Sequence, residues 1–430
     1  MTAEIAILNS SGIALAADSA VTIYEEKVYN SANKLFALSK YEPVGIMVYG
    51  KADFMGIPWE IIVKQYRAKL GSQSFPSLKE YAEDFWDFLG ANDFAKIPQA
   101  NKPEYLTSFI SAYLGKIYDE YRAWAGVRED SLRHRDKSPE FESDLLLGVI
   151  KKVGEGIDEM DFMPGFSELD VDKILDRNKD KFDRFDNHEL IKSLDGKTKR
   201  TVYQQAAQFF VRRILLPASG IVIAGFGTDE MLPGIASYQV EGAIDGRIKK
   251  VFVDKQSTIQ NDRFFTSIIS FAQNEMVRLF FEGISPALSE FVLEYIESIF
   301  RQYPQSVAFE EFGVTEQAAM EIRKRLEMDG GDLLEVLREG LDEFKKINNT
   351  NPILQMVEVL PKDELAAMAE TLVNLTAFKR KISRERETVG GPIDVAVISK
   401  GDGFIWVKRK HYFKPELNQH FFSNYFREVK

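Results

Sequence analysis

The stretch that decides the fold is Thr2-Ala3-Glu4-Ile5-Ala6-Ile7-Leu8-Asn9-Ser10-Ser11-Gly12-Ile13-Ala14-Leu15-Ala16-Ala17-Asp18. Ile5 and Ile7 share one face of an extended segment. Asn9-Ser10-Ser11 then interrupts the apolar run, and Gly12 turns it back into Ile13 to Ala17. This is the pattern of two short strands joined by a three-residue loop. In an antiparallel pair built on that loop Leu8 faces Gly12, and stepping outward sets Thr2 opposite Asp18. The second residue of the chain is thus expected beside an acid at the end of the second strand.

Working outward, Leu35 to Leu38 and Val44 to Tyr49 flank a turn at Glu42-Pro43 and form a second hairpin, closed by Gly50, with Lys34 opening its first strand. Asp53 is expected to cap a helix through Trp59, Ile62, Tyr66 and Leu70 that Gly71 ends. Another helix should run from Pro76 to Leu89. From about 103 to 213 the chain reads as helical and charged, with helices over Tyr105–Ala125 and Tyr203–Leu216 and a solvated surface from Asp170 to Asn187. Strand character returns at Ile221–Ala224, Ile235–Val240 and Ile248–Val253. A helix is expected from Arg263 to Phe281, then a mostly helical block to about 350.

The helix expected over Lys362–Ile382 carries Leu365, Met368, Leu372, Leu375 and Phe378 on one face. Its acids Asp363 and Glu364 come first and its bases Lys379, Arg380 and Lys381 last, as the helix dipole favours. Ile393–Ile398 and Phe404–Val407 flank a turn at Lys400-Gly401-Asp402-Gly403. Blocks of strands alternating with blocks of helices imply an α+β fold of two helix-covered sheets rather than a doubly wound sheet.

Composition excludes much chemistry. The 430 residues carry a net charge of −11, which disfavours a phosphate-gripping nucleic-acid surface. There are no cysteines, so disulfides, thiolate metal sites and Cys nucleophiles are absent, and a reducing cytoplasm suits such a chain. The 4 histidines (His134, His188, His411 and His420) show no metal-binding spacing, and no cofactor is expected. The longest uncharged run, Ile214 to Thr228, is about fifteen residues against the roughly 20 a bilayer span needs, so no membrane segment is expected. Glu4 and the polar break at Asn9–Gly12 argue against a secretory signal. Gly225-Phe226-Gly227 lacks the rest of a dinucleotide-binding loop, and Asp176, Asn178 and Asp180 have Lys181 where a calcium loop needs glycine.

Thr2 directly after the initiator Met is small enough for Met1 to be trimmed. The hydroxyl of a first-residue threonine can be activated by its own α-amine, whose ordinary pKa is about 7.7–8.0. Asp18 across the hairpin and Lys34 at the same end complete a charged set, in which a lysine held positive helps a nearby hydroxyl lose its proton.

Thr2-x-x-Ile5, Gly12-Ile13-Ala14-Leu15-Ala16-Ala17-Asp18-Ser19, Thr22, Asn33-Lys34-Leu35-Phe36 and Val389-Gly390-Gly391-Pro392-Ile393-Asp394-Val395-Ala396-Val397-Ile398 resemble a proteasome β-type, HslV-like subunit of the N-terminal nucleophile hydrolases. Counted from Thr2, the acid is seventeenth and the lysine thirty-third, the spacing of that family. The resemblance implies a four-layer αββα sandwich and a threonine hydrolase cleaving peptide amides through an acyl-enzyme. Thr2 would be nucleophile and base, supported by Asp18 and Lys34, with the Gly50 N–H binding the oxyanion and Thr22 holding the substrate backbone. It covers about residues 2–90, 218–283 and 357–407. Where the family carries Asp-x-x-Ser before the glycine pair, this chain has Arg386 and Val389, so Ser270 or Thr388 would have to orient the amine.

The expected organisation is a core over 1–100, 216–286 and 357–430, with helical insertions over 101–215 and 287–356 that have no counterpart in a compact subunit. The expected partners are a peptide or protein substrate, further copies of the chain, and a regulator docking on the insertions. Two other readings stay open: a small-molecule amidohydrolase of the same fold, and a non-catalytic structural subunit.

Overall fold

The computed structural model describes residues 3–23, 27–91, 105–131, 139–213, 218–244, 247–254, 266–272, 274–383 and 389–426. Strands β1 (Glu4–Asn9) and β2 (Gly12–Ala17) form the expected hairpin, in a different register. Asn9 pairs with Gly12 and Glu4 with Ala17, so the loop is the two residues Ser10 and Ser11. The side chain of Asn9 makes the shorter turn. Its Oδ1 accepts from the Ser11 N–H at 2.9 Å, while its Nδ2 donates to the carbonyls of Val357 and Leu360, both at 2.9 Å. Gly12 is required there, because a Cβ would lie 2.5 Å from the carbonyl oxygen of Ile398.

Three short antiparallel pairs follow. β3 (Val21–Ile23) pairs with β4 (Lys27–Tyr29), β5 (Leu35–Ala37) with β6 (Val44–Gly50), and β7 (Asp53–Phe54) with β8 (Ile57–Pro58). Helices α1 (Trp59–Leu70) and α2 (Leu78–Gly90) come next. Asp53 does not cap α1. Its Oδ1 accepts from the Gly56 N–H at 2.8 Å inside the β7–β8 turn, and Pro58 holds the position before the helix. Gly71 ends α1 with φ of +56°, and Ser77 caps α2 by accepting from the Glu80 N–H.

Five helices form the first block: α3 (Tyr105–Ser131), α4 (Pro139–Asp158), α5 (Leu169–Arg177), α6 (Lys179–Asp183) and α7 (Gly196–Val211). They share a core that includes Phe109, Tyr113, Ile157 and Phe210, and Ile244 and Val251 of the neighbouring sheet pack against it. The charged stretch from Asp170 to Asn187 is not merely solvated. Val171, Ile174 and Phe182, at helical spacing, are buried in that core.

β9 (Ser219–Gly225), β10 (Gly234–Ile244) and β11 (Arg247–Phe252) return the chain to sheet. The helix expected over Arg263–Phe281 begins outside the described residues; within it Ser267–Ser270 form strand β12 instead, which pairs with the free edge of β1, Ser270 opposite Ile5. The β-branched pair Ile268-Ile269 suits that edge, and helix α8 (Glu275–Glu282) begins only afterwards. Helices α9 (Pro286–Ser306) and α10 (Glu316–Lys345) form a long antiparallel hairpin, in which Arg323 donates to the carbonyls of Pro304 and Val307. α11 (Asn351–Glu358), α12 (Lys362–Ile382), β13 (Asp394–Ser399), β14 (Gly403–Lys408) and α13 (Gln419–Phe426) complete the described elements.

The fold is mixed α+β with antiparallel sheets. Sheet I has the order β12-β1-β2-β13-β14 and sheet II the order β11-β10-β9-β6-β5. Side chains alternate along each strand as a pleated sheet demands. Ala6, Leu8, Ile13 and Leu15 of sheet I meet Met47, Val222 and Ala224 of sheet II in one core between the sheets. The odd positions Ile5 and Ile7 turn instead toward α8, α11 and α12, while Val44, Ile46, Ile221 and Ile223 turn toward α1 and α2. On α12 the buried face is Leu365, Ala366, Ala369, Leu372 and Val373, and Phe378 is 61% exposed. Of the expected face, Leu365 and Leu372 are buried and Met368 packs against the same core, while Leu375 and Phe378 lie outside it; alanines on the helix share that core with Ala14 and Ala16 of the sheet. Among the described residues no helix is long and apolar enough to cross a membrane.

Candidate active site

Asp18 follows β2 directly and is 1% exposed. Its Oδ1 accepts from the Ala3 N–H at 3.1 Å and from Nζ of Lys34 at 2.5 Å. Its Oδ2 accepts from the N–H groups of Ala20 at 3.2 Å and Gly390 at 3.0 Å. Asp18 also donates its own N–H to the Ala3 carbonyl at 3.1 Å. The residue opposite Asp18 is therefore Ala3 rather than Thr2, a consequence of the two-residue loop. Thr2 itself lies outside the described residues, as do Arg386 and Thr388.

Lys34 enters from the segment before β5, its carbonyl accepting from the Val48 N–H at 2.8 Å. It is 6% exposed, and its Nζ also lies 3.2 Å from Oε1 of Glu4. A buried lysine between two buried carboxylates is the central feature of this end of the sheets.

Glu4 was missed by sequence reasoning, which treated it only as an early charge. Its place beside Lys34 comes from a contact between β1 and the segment before β5, which no local pattern reveals. Its charge also reaches Tyr49. Burial chiefly raises the Tyr49 hydroxyl above its ordinary value and Glu4 adds to that, while hydrogen bonds with Ser237 and Gln239 act the other way.

Gly50 ends β6 with φ of +75°, a conformation glycine takes without strain. A Cβ there would stand 2.6 Å from the Ala218 carbonyl oxygen. Lys34 and Gly50 border one cleft of about 170 Å³, whose wall includes Asn33, Val48, Trp59 and Glu60. Trp59 is fixed by donating its indole N–H to Ser219 Oγ at 2.8 Å, and Ser219 donates onward to the Lys51 carbonyl at 2.8 Å. Burial works against ionising Glu60, but hydrogen bonds from Lys64 and Asn33 outweigh it and lower its pKa.

Other expected residues sit apart from this cluster. Thr22 pairs with Val28 in the β3–β4 hairpin, and its neighbour Val21 borders the cleft. Ser270 is opposite Ile5 in β12. Val389 is 1% exposed and belongs to the apolar core under α12. The glycine pair after it serves Asp18: besides the Gly390 N–H, the Gly390 carbonyl accepts from the Ser19 N–H at 3.1 Å, and Ser19 Oγ donates to the Pro392 carbonyl. Among the described residues no group of three or more His, Asp or Glu could hold a metal ion.

No family model and no curated protein matches the chain. Solved structures do match. The helical assembly of the Anbu complex from Pseudomonas aeruginosa is 7% identical, covering 98% of this chain and 93% of that one, with a TM-score of 0.31. Anbu (ancestral beta-subunit) from Yersinia bercovieri is 9% identical over 98% and 93%, with a TM-score of 0.32. An Anbu (Gly-1) mutant from Hyphomicrobium sp. strain MC1 is 9% identical over 99% and 94%, with a TM-score of 0.27. These matches correct the resemblance to a proteasome β-type, HslV-like subunit, since the structures found are Anbu proteins. At TM-scores this low the likeness carries no information about the chemistry of this chain.

Proposed function

We propose that this protein cleaves amide bonds, in peptides first, with Thr2 as an N-terminal nucleophile once Met1 is removed. The observation that carries this reading is Lys34, buried against both Asp18 and Glu4, on the wall of a cleft that also holds Gly50. The Thr2 hydroxyl attacks the substrate carbonyl and its proton passes to the α-amine of the same residue. The tetrahedral oxyanion takes a hydrogen bond from the Gly50 N–H. Collapse expels the amine product, which leaves with that proton, and a threonine ester remains. Water, deprotonated by the α-amine, hydrolyses the ester and restores the hydroxyl. Lys34 supplies positive charge near the hydroxyl, Asp18 fixes Lys34, and Thr22 holds the substrate backbone.

The helix–sheet–sheet–helix order is read as a four-layer frame over 1–100, 216–286 and 357–430, with insertions over 101–215 and 287–356. On α9, Leu288, Phe291, Tyr295 and Tyr303 are each more than half exposed, which supports docking of a regulator or of another copy of the chain on that insertion. The absence of cysteine supports a cytoplasmic setting. The test is intact mass before and after a threonine-directed covalent inhibitor. The expected result is a single adduct on Thr2 of a chain lacking Met1. Turnover of peptide amides by protein that retains Met1 would overturn the reading.

A further inference from the structure

Helices α9 and α10 bury little for their length. Among the described residues, α9 buries Pro304 and α10 buries Ala319, Gly330 and Leu334. Their contact is antiparallel. Ser289 Oγ accepts from Lys345 Nζ at 3.1 Å at one end, and Arg323 donates to the Pro304 carbonyl at 3.3 Å at the other. Between them a Cβ on Gly330 would stand 2.9 Å from Cβ of Phe300. Helices in water owe their stability chiefly to packing of an apolar face, and this pair leaves most of its apolar surface uncovered.

That surface is gathered on one side. On α9, Leu288, Phe291, Val292, Tyr295, Ile299 and Tyr303 are 36–65% exposed. At about 100° per residue they form one stripe, about a third of a turn from the face that meets α10. On α10, Ile322, Leu326, Leu333, Val336 and Phe344 are 37–65% exposed. They form a second stripe, about a quarter of a turn from the face that meets α9. Both stripes are displaced in the same rotational sense about their own helix axes, and in antiparallel neighbours the same sense means the same side. The hairpin thus carries one broad apolar face. Glu290, Glu294 and Arg301 of α9, with Lys324, Arg338 and Asp342 of α10, take the other side.

Helices of 21 and 30 residues are about 31 Å and about 45 Å long, and side by side about 20 Å wide. The face therefore spans on the order of 600–900 Å². The largest apolar patch on a typical monomer is about 300–600 Å², and a stable complex covers about 800 Å² of each partner. A second copy of the same face supplies that area. The charged edge of α10 sets the orientation. Arg325 lies toward its N-terminal end, and Asp332, Glu339 and Glu343 follow on the same edge toward its C-terminal end. Laid antiparallel, α10 on α10, each copy brings Arg325 opposite the acids of the other, whereas a parallel arrangement would set acid against acid. We infer that the α9–α10 face receives the same face of a second copy of this chain, laid antiparallel across it. This rests on the docking role proposed above for that insertion and names its occupant.

The test is the oligomeric state of the full chain. Sedimentation equilibrium should give twice the 49.0 kDa mass of one copy, or a multiple of that. Phe291→Lys combined with Val336→Lys should halve the mass observed while circular dichroism shows unchanged helix content. The chain has no cysteine, so a single introduced one reports on its own position. Leu333 is near the middle of α10, where an antiparallel pair sets it close to its own copy, and Arg338 is on the opposite side. Under mild oxidation Leu333→Cys should yield a disulfide-linked pair and Arg338→Cys should not. A wild-type monomer at tens of micromolar overturns the inference and leaves the face to a different protein. An assembly whose mass the double variant leaves unchanged also overturns it, by placing the contact elsewhere. If the double variant loses helix, failure of Leu333→Cys to link overturns the inference by itself. Sedimentation requires no catalysis. A monomer that takes the inhibitor adduct therefore overturns this inference alone, and a dimer that does not take it overturns the proposed hydrolase alone.

Discussion

The N–H of Gly390 reaches Oδ2 of Asp18 across 3.0 Å, although 372 positions separate the two residues in the chain. The Gly390 carbonyl accepts in turn from Ser19, so the end of β2 and the approach to β13 form one hydrogen-bonded corner around the carboxylate. Asp18 is thereby held from four directions, and its orientation toward Lys34 is a property of the scaffold rather than of one side-chain rotamer.

Replacing Asp18 should therefore cost both stability and activity. Asp18→Ala leaves Lys34 with Glu4 as its remaining carboxylate here and strands three buried N–H donors, so a loss of about 3–5 kcal/mol is expected. Asp18→Asn keeps the size and part of the hydrogen bonding, and its loss should be smaller. Urea denaturation of both variants checks the order. Equal stability for Asp18→Ala and wild type would contradict the buried geometry.

Thr2→Ala is expected to abolish hydrolysis while leaving the thermal midpoint close to that of wild type, since only a hydroxyl and a methyl are lost. Peptide turnover measured alongside a melting curve separates the two effects. Undiminished turnover in this variant would remove the nucleophile from the proposed mechanism.

Gly50→Ala tests the turn at the mouth of the cleft. The new methyl would press on the Ala218 carbonyl at 2.6 Å and sit at a φ of +75° that side chains rarely adopt. A loss of about 1–3 kcal/mol is expected together with reduced kcat. A variant as active and as stable as wild type would show that this backbone can relax without consequence.

The pair Lys249–Glu241 beneath the first helical block should respond to pH. Lys249 is fully buried, with Nζ 3.4 Å from Glu241 and 4.0 Å from the centre of the Phe109 ring. Burial pushes its pKa down to about 8 against the pull of Glu241. An unfolded lysine titrates near 10.4. Between those values the unfolded chain binds more protons than the native one, so this residue's contribution to stability rises with pH across that window. Lys249→Met alone should cost about 3–5 kcal/mol by isolating Glu241, whereas pairing it with Glu241→Leu should restore most of that loss. Denaturation at several pH values between 7.5 and 10.5 would show the rise in wild type and its absence in the double variant.

How far the sequence could be read depended on whether neighbours in the chain were also neighbours in space. The alternation of Ile5, Ile7 and Ile13 to Ala17 was enough to find the hairpin and its acid. Its register was out by one residue, because the Asn9 side chain builds a tighter turn by reaching Val357 and Leu360, which no local pattern reveals. The same limit explains Ile268-Ile269, read as helix: only the open edge of β1 makes the segment a strand. The face of α12 was read correctly at Leu365, Met368 and Leu372 but not at its end, where Leu375 and Phe378 lie outside the core. Asp18 and Lys34 were singled out from their spacing, and their side chains meet in the structure. Glu4 was not, because its place against Lys34 depends on a contact between β1 and the segment before β5.

The order of sheet I has a consequence for biosynthesis. β2 lies between β1, its immediate predecessor, and β13, which ends at Ser399. At about 5–20 residues per second, a ribosome needs on the order of 20–75 seconds to travel from one to the other. Throughout that interval the nascent hairpin offers an unpaired backbone edge of high apolar content, the kind of template on which chains associate wrongly. Yield of the native protein should therefore be governed by what shields β2 during synthesis, and cutting the chain before β13 should leave the β2 edge open even after β12 has paired with β1.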